Sequence, residues 1–136
     1  MKYLIITLIS ILLIKPSLAD DFTNCSQISI NNLANVKASY NIKVAKTQQE
    51  KSKGLMNVKL MPENEGMLFI WPGLEKRYFW MKDTYISLDI IFIKNDTIVG
   101  IAKNVPTLNE NIITIDDTVN KVLEVNAKQT DKYNFK

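Results

Sequence analysis

Histidine is absent from this chain of 136 residues, and cysteine and arginine each occur once. Histidine is the base that most often activates serine and cysteine nucleophiles. Because the chain has none, no catalytic residue is assigned. Cys25 has no second cysteine to pair with, and the fold therefore has to rest on packing. Glycine-rich phosphate loops and clustered metal ligands are missing as well, so no metal and no cofactor is expected.

Positive charge is scarcer than the whole-chain balance suggests. The formal net charge is +3, from 17 basic and 14 acidic residues. Lys2 and Lys15 lie within the first 19 residues, which hold no acid, so residues 20–136 carry +1 (15 minus 14). The remaining lysines are scattered and Arg77 is the single arginine. Nucleic acid is therefore not expected as a partner.

The first 19 residues have the pattern of a secretory signal peptide. Lys2 precedes an apolar run at residues 3–14, and the small residues Ser17 and Ala19 follow it. This order is typical of a leader that is cleaved, here after Ala19. The run is shorter than the roughly 20 apolar residues that span a bilayer. We expect an exported protein, periplasmic or secreted, which meets a membrane only if the leader stays uncleaved.

Residues 20–35 are polar and predict a tether with one edge strand, ahead of a single β-rich domain at residues 36–136. Apolar and polar residues alternate at residues 36–44, which predicts a half-buried strand. Further strands are predicted at residues 67–71, 77–81, 88–93, 97–101 and 121–126. The pattern predicts a mainly β fold, a small β-sandwich or closed barrel. A parallel α/β sheet is not expected, because the chain has no room for the crossover helices that it would need between strands.

One short helix is predicted after the first strand of this domain. Thr47 and Glu50 have the spacing of a capping box, and Gly54 marks a point where the chain can leave the helix. Pro72 and Gly73 predict the end of the strand that precedes them. The charged tail from Lys128 predicts either a short helical turn or a loose end.

Six blocks of sequence, taken in order, resemble a known family. They are Gly-Leu-Met at 54–56, Glu-Gly-Met-Leu-Phe at 65–69, Phe-Trp-Met-Lys-Asp-Thr at 79–84, Leu-Asp-Ile-Ile-Phe-Ile at 88–93, Val-Pro at 105–106 and Val-Leu-Glu-Val-Asn-Ala at 122–127. Over about residues 40–130 the chain is similar to domain-of-unknown-function family 192, also called uncharacterised protein family 0127. The resemblance implies a compact β-rich fold with a short helix, often exported in bacteria, and no established activity. Asp83 stands where the family mostly has asparagine, and the loop after Pro106 lacks the cysteines of many relatives.

Asp89 is the most informative ionisable residue, because it lies inside the apolar run at residues 88–93. An unpaired buried carboxylate would cost several kcal/mol, so it needs hydrogen-bond donors. We expect these donors in the loop at residues 82–87, with Lys82 and Thr84 as nearby candidates. The alternative is that Asp89 acts as an acid, a base or an anchor for a ligand.

Trp80, Met81 and Lys82 predict the floor of a cleft with an aromatic surface and one cation, in which Lys82 and Asp83 are the polar determinants. A small anionic molecule would suit Lys82, with Arg77 as a weaker second cation. The alternative is that the aromatic residues of this segment belong to the core, as alternating aromatic residues in strands usually do.

Glu124 and Asn126 share one face of the last predicted strand. We favour an exported, non-catalytic domain that binds a small molecule or serves another exported protein. One alternative is a hydrolase-like enzyme in which Asp89 and Glu124 converge as acid and base. The other is an interaction module whose sheet edge, at residues 40–44, receives a strand of a partner.

Overall fold

The computed structural model describes residues 25–31 and 37–135. In chain order the elements are β1 Cys25–Asn31, β2 Lys37–Ala45, α1 Gln48–Lys53, β3 Glu65–Glu75, β4 Leu88–Lys94, β5 Thr97–Val105, β6 Val119–Asn126 and α2 Gln129–Lys132. The mainly β class and the short helix α1 are confirmed. β1 is the edge strand expected near the tether, and α2 is the helical turn considered for the tail. The signal-peptide prediction at residues 1–19 lies outside the described residues.

All six strands belong to one sheet, in the order β1-β2-β3-β6-β4-β5. Adjacent strands are antiparallel except β2 and β3, which are parallel. The sheet is therefore not a parallel α/β sheet, and its one parallel pair is connected by residues 46–64, which contain α1 and provide one crossover. Within the described ranges no pairing joins β1 to β5, so the sheet has two edges. The sequence predicted a small β-sandwich or a closed barrel, and the structure has a single sheet with two edges instead.

The last strand of the chain, β6, lies in the middle of the sheet, between β3 and β4. Glu124 of β6 is opposite Met67 on one side and Ile90 on the other. Asp89 of β4 is opposite Val125. Because successive side chains of a strand point to opposite faces, Glu124 and Asp89 lie on different faces of the sheet.

Each face of the sheet carries its own apolar cluster. The cluster on the Glu124 side, here called the cleft face, includes Met67, Phe69, Ile90, Phe92 and Val122. The cluster on the Asp89 side, here called the tail face, includes Tyr40, Leu68, Ile91, Leu123 and Val125. Phe135, beyond α2, is buried in the tail-face cluster, so the C-terminal residues cover that face.

Helix α1 begins with the predicted capping box. The Glu50 amide donates to the Thr47 hydroxyl at 3.2 Å, and the Thr47 amide donates to the Glu50 carboxylate at 2.9 Å. The backbone amides of Thr47 and Lys46 lower the pKa of Glu50 through these hydrogen bonds. A cap of this kind is worth about 1 kcal/mol. Gly54 ends the helix with φ of 49°, a backbone conformation that favours glycine.

The prediction of a strand at residues 77–81 is wrong. Phe79 and Ile113 form an isolated bridge, with amide-to-carbonyl distances of 2.9 and 2.8 Å. The Met81 amide then donates to the carbonyl of Asn109, two residues away from the position that a regular ladder would use. The ladder therefore stops after one bridge, although the side chains on this segment still alternate between inside and outside.

The prediction that the strand at residues 67–71 ends at Pro72 and Gly73 is also wrong, because β3 continues to Glu75. The pairing of β3 with β6 shifts register between Ile70 and Glu75. Proline has no amide hydrogen for the ladder, and an irregularity of this kind accommodates it.

Candidate functional site

A cleft of about 300 Å³ lies on the cleft face, between α1 and residues 78–84. α1 and the turn after it contribute Gln48, Lys51, Ser52, Lys53, Gly54, Leu55 and Met56. The other lining residues are Phe69 and Trp71 of β3, Tyr78, Phe79, Trp80, Lys82 and Thr84 of the next segment, and Glu124 of β6. Thus α1, β3 and residues 78–84 surround the carboxyl group of Glu124, which extends from the central strand β6.

One side of the cleft is an aromatic wall, defined here as Phe69, Trp71 and Phe79. Alternation along β3 puts Phe69 and Trp71 on the same face, where their ring centroids are 6.2 Å apart. Phe79 meets both rings edge to face, at 5.2 Å from Phe69 and 6.3 Å from Trp71. Such pairs fix one another's orientation, so the wall is a preformed surface.

Glu124 forms the floor of the cleft and is only 5% exposed. Its neighbours across the sheet, Met67 and Ile90, are both buried and apolar. No hydrogen bond or ion pair from the described residues contributes to the pKa of its carboxyl group, on which burial alone acts. Burial raises the pKa of Glu124 from 4.5 to about 8. At neutral pH the group is therefore mostly protonated, with one O–H donor and one carbonyl acceptor to offer.

Two lysines of the cleft lie over tryptophan rings. Lys51 Nζ is 5.0 Å from the ring centroid of Trp71, and Lys82 Nζ is 5.3 Å from that of Trp80. Within the described part of the chain neither lysine has a carboxylate partner. Elsewhere on the surface such partners are common: Lys76 pairs with Asp116, Lys94 with Asp117, Lys103 with Asp131, Lys121 with Asp96 and Lys132 with Glu63. The mouth of the cleft is thus positively charged.

The structure separates the six candidate site residues that the sequence analysis named, and it buries Met81 in the core rather than in the cleft lining. Trp80, Lys82 and Glu124 line the cleft, whereas Asp83, Asp89 and Asn126 do not. Asp83 is exposed in a left-handed turn, with φ of 52°, and its carbonyl accepts the amide of Asn57 at 2.8 Å. The Asn126 side chain donates to the carbonyls of Met61 and Pro62 at 2.8 and 3.1 Å. Both residues hold loops in place.

Arg77 also lies outside the cleft lining. Its guanidinium donates to the Glu75 carboxylate at 2.8 Å and to the Gly73 carbonyl at 3.1 Å. It lies over the ring of Trp71, with Cζ 4.4 Å from the centroid. Arg77 therefore supports the aromatic wall, whereas Lys51 takes the place of the second cation that the sequence assigned to Arg77.

Asp89 is fully buried on the tail face, and its carboxylate accepts three hydrogen bonds. Oδ1 accepts the amide of Asn104 at 2.8 Å. Oδ2 accepts the amide of Thr130 at 2.9 Å and its hydroxyl at 2.7 Å. The buried, partnered carboxylate is as expected, but the prediction that loop 82–87 supplies the donors is wrong, because that loop belongs to the opposite face. We call Asp89, Asn104 and Thr130 the tail latch.

Local backbone geometry explains why these donors need Asp89. The pairing of β4 with β5 shifts by one residue between Leu88 and Ile90, so β5 bulges at Asn104, which has φ of 52°. The amide of a bulged residue is left out of the ladder, and Asp89 accepts it. Thr130 lies in the first turn of α2, whose cap residue Lys128 makes no side-chain bond. Asp89, on β4, therefore caps the N-terminus of α2 by accepting the Thr130 amide.

Comparison with known proteins assigns the chain to a family. The sequence matches the model of DUF192, described as "Uncharacterized ACR", over residues 30–136. The chain belongs to the DUF192 family. No curated protein matches it.

Two solved structures share the DUF192 fold. A protein of unknown function from Novosphingobium aromaticivorans DSM 12444 is 27% identical, with a TM-score of 0.78, over 82% of this chain and 80% of that one. A protein of Sinorhizobium meliloti 1021, described as a "putative transcription regulator", is 28% identical, with a TM-score of 0.80, over 82% and 88% of the two chains. Neither description assigns a ligand to the cleft.

The blocks that resemble the DUF192 family contain nine of the 15 residues that line the cleft, but only Asp89 of the tail latch. Residues 79–84 supply Trp80 and Lys82, and residues 122–127 supply Glu124. Sequence reasoning missed Lys51, Trp71 and the donors of Asp89. The capping box located α1, but no signal indicated that α1 faces Trp71. No helix in the described ranges is long and apolar enough to cross a membrane.

Neither alternative site survives in the geometry that the sequence suggested. Asp89 and Glu124 lie on opposite faces of the sheet, so they do not converge as an acid and base pair. Residues 40–44 do not form a free edge, because β2 pairs with β1 on one side and β3 on the other. The sequence suggested an edge because the pairing partner β1 lies in a polar segment that was assigned to the tether.

Proposed function

We propose that this DUF192 protein is a non-catalytic binding protein whose small-molecule ligand occupies the cleft above Glu124. The observation that carries the proposal is the Glu124 carboxyl group, which is buried, has no hydrogen-bond partner among the described residues and faces the cleft. A buried polar group without a partner is costly, and for Glu124 the cleft is the side from which a partner can reach it. A ligand that bonds to Glu124 would offset that cost.

The surroundings of Glu124 support binding rather than catalysis. It is the only carboxyl group among the lining residues, so the cleft does not contain the pair of groups that general acid–base catalysis commonly uses. The aromatic wall offers apolar contact area, and Trp80 adds a ring that is 44% exposed. A concave apolar surface with a few polar groups that fix orientation is the usual form of a small-molecule site.

The proposal can be tested by titrating the domain with a library of small acids, amides, alcohols and amines. Trp71 and Trp80 are the only tryptophans of the chain, and both line the cleft. Their two indole N–H signals in a ¹H–¹⁵N NMR spectrum therefore report on this site alone. We expect a subset of compounds to shift both indole signals, and Glu124→Leu to weaken the best of them by about tenfold, the effect of one hydrogen bond.

Glu65→Gln is the matched control. Glu65 shares the cleft face, and its Oε2 is also buried without a partner, but it does not line the cleft. Ligand affinity in this variant should equal that of the wild type. If no compound shifts the indole signals, or if Glu124→Leu and Glu65→Gln bind alike, the cleft is not a ligand site and the proposal is wrong.

We also propose that the protein is exported. The support is the leader pattern at residues 1–19, with its basic start, short apolar run and small residues before the cut. Expression of the full chain in a Gram-negative host should yield a periplasmic or secreted product whose N-terminus, measured by intact mass, is Asp20. A cytoplasmic product that retains residues 1–19 would contradict cleavage and export together, and a membrane-bound product of full mass would indicate an uncleaved leader.

A further inference from the structure

The charges and shape of the cleft restrict the class of ligand. We infer, on the basis of the proposed function, that the ligand is a small planar acid whose anionic group lies at the mouth near Lys51 and Lys82, and whose far end carries a neutral hydroxyl or carbonyl group that bonds to Glu124. An aromatic carboxylic acid with a polar group opposite the carboxylate is the simplest molecule of this class.

The mouth of the cleft favours an anion. Lys51 extends from α1 and Lys82 from the segment on the other side, and each keeps its ammonium group over a tryptophan ring. An ammonium group in this position has three N–H donors, and those that point away from the ring can bond to an anion. Since no carboxylate in the described part of the chain neutralises either lysine, an incoming anion meets two available cations.

The floor of the cleft favours a neutral group. Glu124 has apolar neighbours on both adjacent strands, and burial holds its pKa at about 8. At neutral pH it therefore neither repels an anion strongly nor presents the full charge that would attract a cation. Its O–H and C=O match a hydroxyl or carbonyl group, which can accept from one and, for a hydroxyl, donate to the other.

The aromatic wall favours a planar body between these two ends. Phe69 and Trp71 are stacked, with ring planes 16° apart, and Phe69 is buried, so Trp71 is the one of the two rings that a ligand can reach. Phe79 stands edge to face against both and closes one end of it. An aromatic ring can form stacked or edge-to-face pairs with these side chains, and such pairs contribute beyond the area that a branched aliphatic chain would bury.

A cationic amine is the competing ligand class. An ammonium group at the floor would ionise Glu124 and pair with it, and the aromatic rings would add cation–π attraction. To reach the floor, however, the amine would have to pass Lys51 and Lys82, whose charges repel it. The charges of Lys51 and Lys82 at the mouth and the neutral Glu124 at the floor therefore favour an anion over an amine.

Three probes that share one hydroxyphenyl ring separate these classes: 4-hydroxybenzoate, 4-hydroxybenzamide and 4-hydroxybenzylamine. Their dissociation constants are measured at neutral pH from the two tryptophan indole signals. We expect the benzoate to bind at least about tenfold more tightly than the other two. The Lys51→Ala, Lys82→Ala double variant should lose that advantage and leave the amide unchanged. Lys59→Ala is the matched control, because Lys59 lies over Tyr85, outside the cleft lining.

Benzoate, which lacks the hydroxyl group, tests the floor contact. It should bind several-fold more weakly than 4-hydroxybenzoate in the wild type and equally in Glu124→Leu. Preference for the amine or the amide, or a benzoate advantage that survives loss of both lysines, would overturn the inference while the cleft remains a ligand site. Failure of all three probes to move the indole signals would also overturn it, and the wider library decides separately whether the cleft binds anything.

Discussion

Replacing Asp89 with asparagine is expected to lower the free energy of unfolding by about 3 kcal/mol. Both carboxylate oxygens accept hydrogen bonds, one from Asn104 and the other twice from Thr130. Asparagine would keep one acceptor and turn an NH₂ group toward a donor. At a position that is 0% exposed, no water replaces the lost partner.

The measurement is urea unfolding of the domain, with the slope against urea compared between variants so that a stability change is not confused with a change in the unfolded state. Thr130→Val keeps the shape and the backbone amide but removes the hydroxyl, and it should cost about 1 to 2 kcal/mol. In the double variant the two losses should not add, because both changes remove the same hydrogen bond. A midpoint for Asp89→Asn equal to that of the wild type would refute the tail latch.

Replacing Glu124 with glutamine is expected to stabilise the protein at neutral pH, by about 3 kcal/mol at pH 7. Burial raises the pKa of Glu124 from 4.5 to about 8. The folded state therefore holds a proton that the unfolded state releases above about pH 4.5. The contribution of Glu124 to the stability of the wild type is highest below pH 4.5, falls by about 1.4 kcal/mol per pH unit up to about pH 8, and is level above that.

Glutamine has nearly the shape of protonated glutamic acid and does not ionise, so it removes this pH dependence. Chemical unfolding of both proteins from pH 4 to 9 should give a stability difference that is near zero at the acid end and grows as the pH rises. Taking the difference cancels the contributions of other ionisable groups. Glu110→Gln, at an exposed position, is the control and should follow the wild-type curve. A difference that does not change with pH would show that Glu124 is not held protonated by burial.

Local patterns in the sequence predicted much of the fold. The period of two at residues 36–44 corresponds to β2, the capping box at Thr47 begins α1, and the apolar run at 88–93 is β4. Each of these signals is complete within a few residues. The parallel pairing of β2 with β3 and the central place of β6 depend on contacts between distant segments, which periodicity does not encode.

The same distinction explains the candidate sites. The buried position of Asp89 was predictable because its neighbours in sequence are apolar. Its donors were not, since Asn104 is 15 residues away and Thr130 is 41 residues away. Trp80 and Lys82 were recognised together because they are close in sequence. Lys51 and Trp71 were not grouped with them, because α1 and β3 bring these side chains to the cleft from separate parts of the chain.

The central position of β6 has a consequence for how the molecule assembles. Before β6 is in place, β3 and β4 each present an unpaired edge, and neither half of the sheet has a complete core on either face. Because β6 supplies Glu124 to one face and Leu123 and Val125 to the other, both faces are completed in the same event. The binding cleft and the covered tail face are therefore parts of one cooperative unit, and partial unfolding of β6 would dismantle both together.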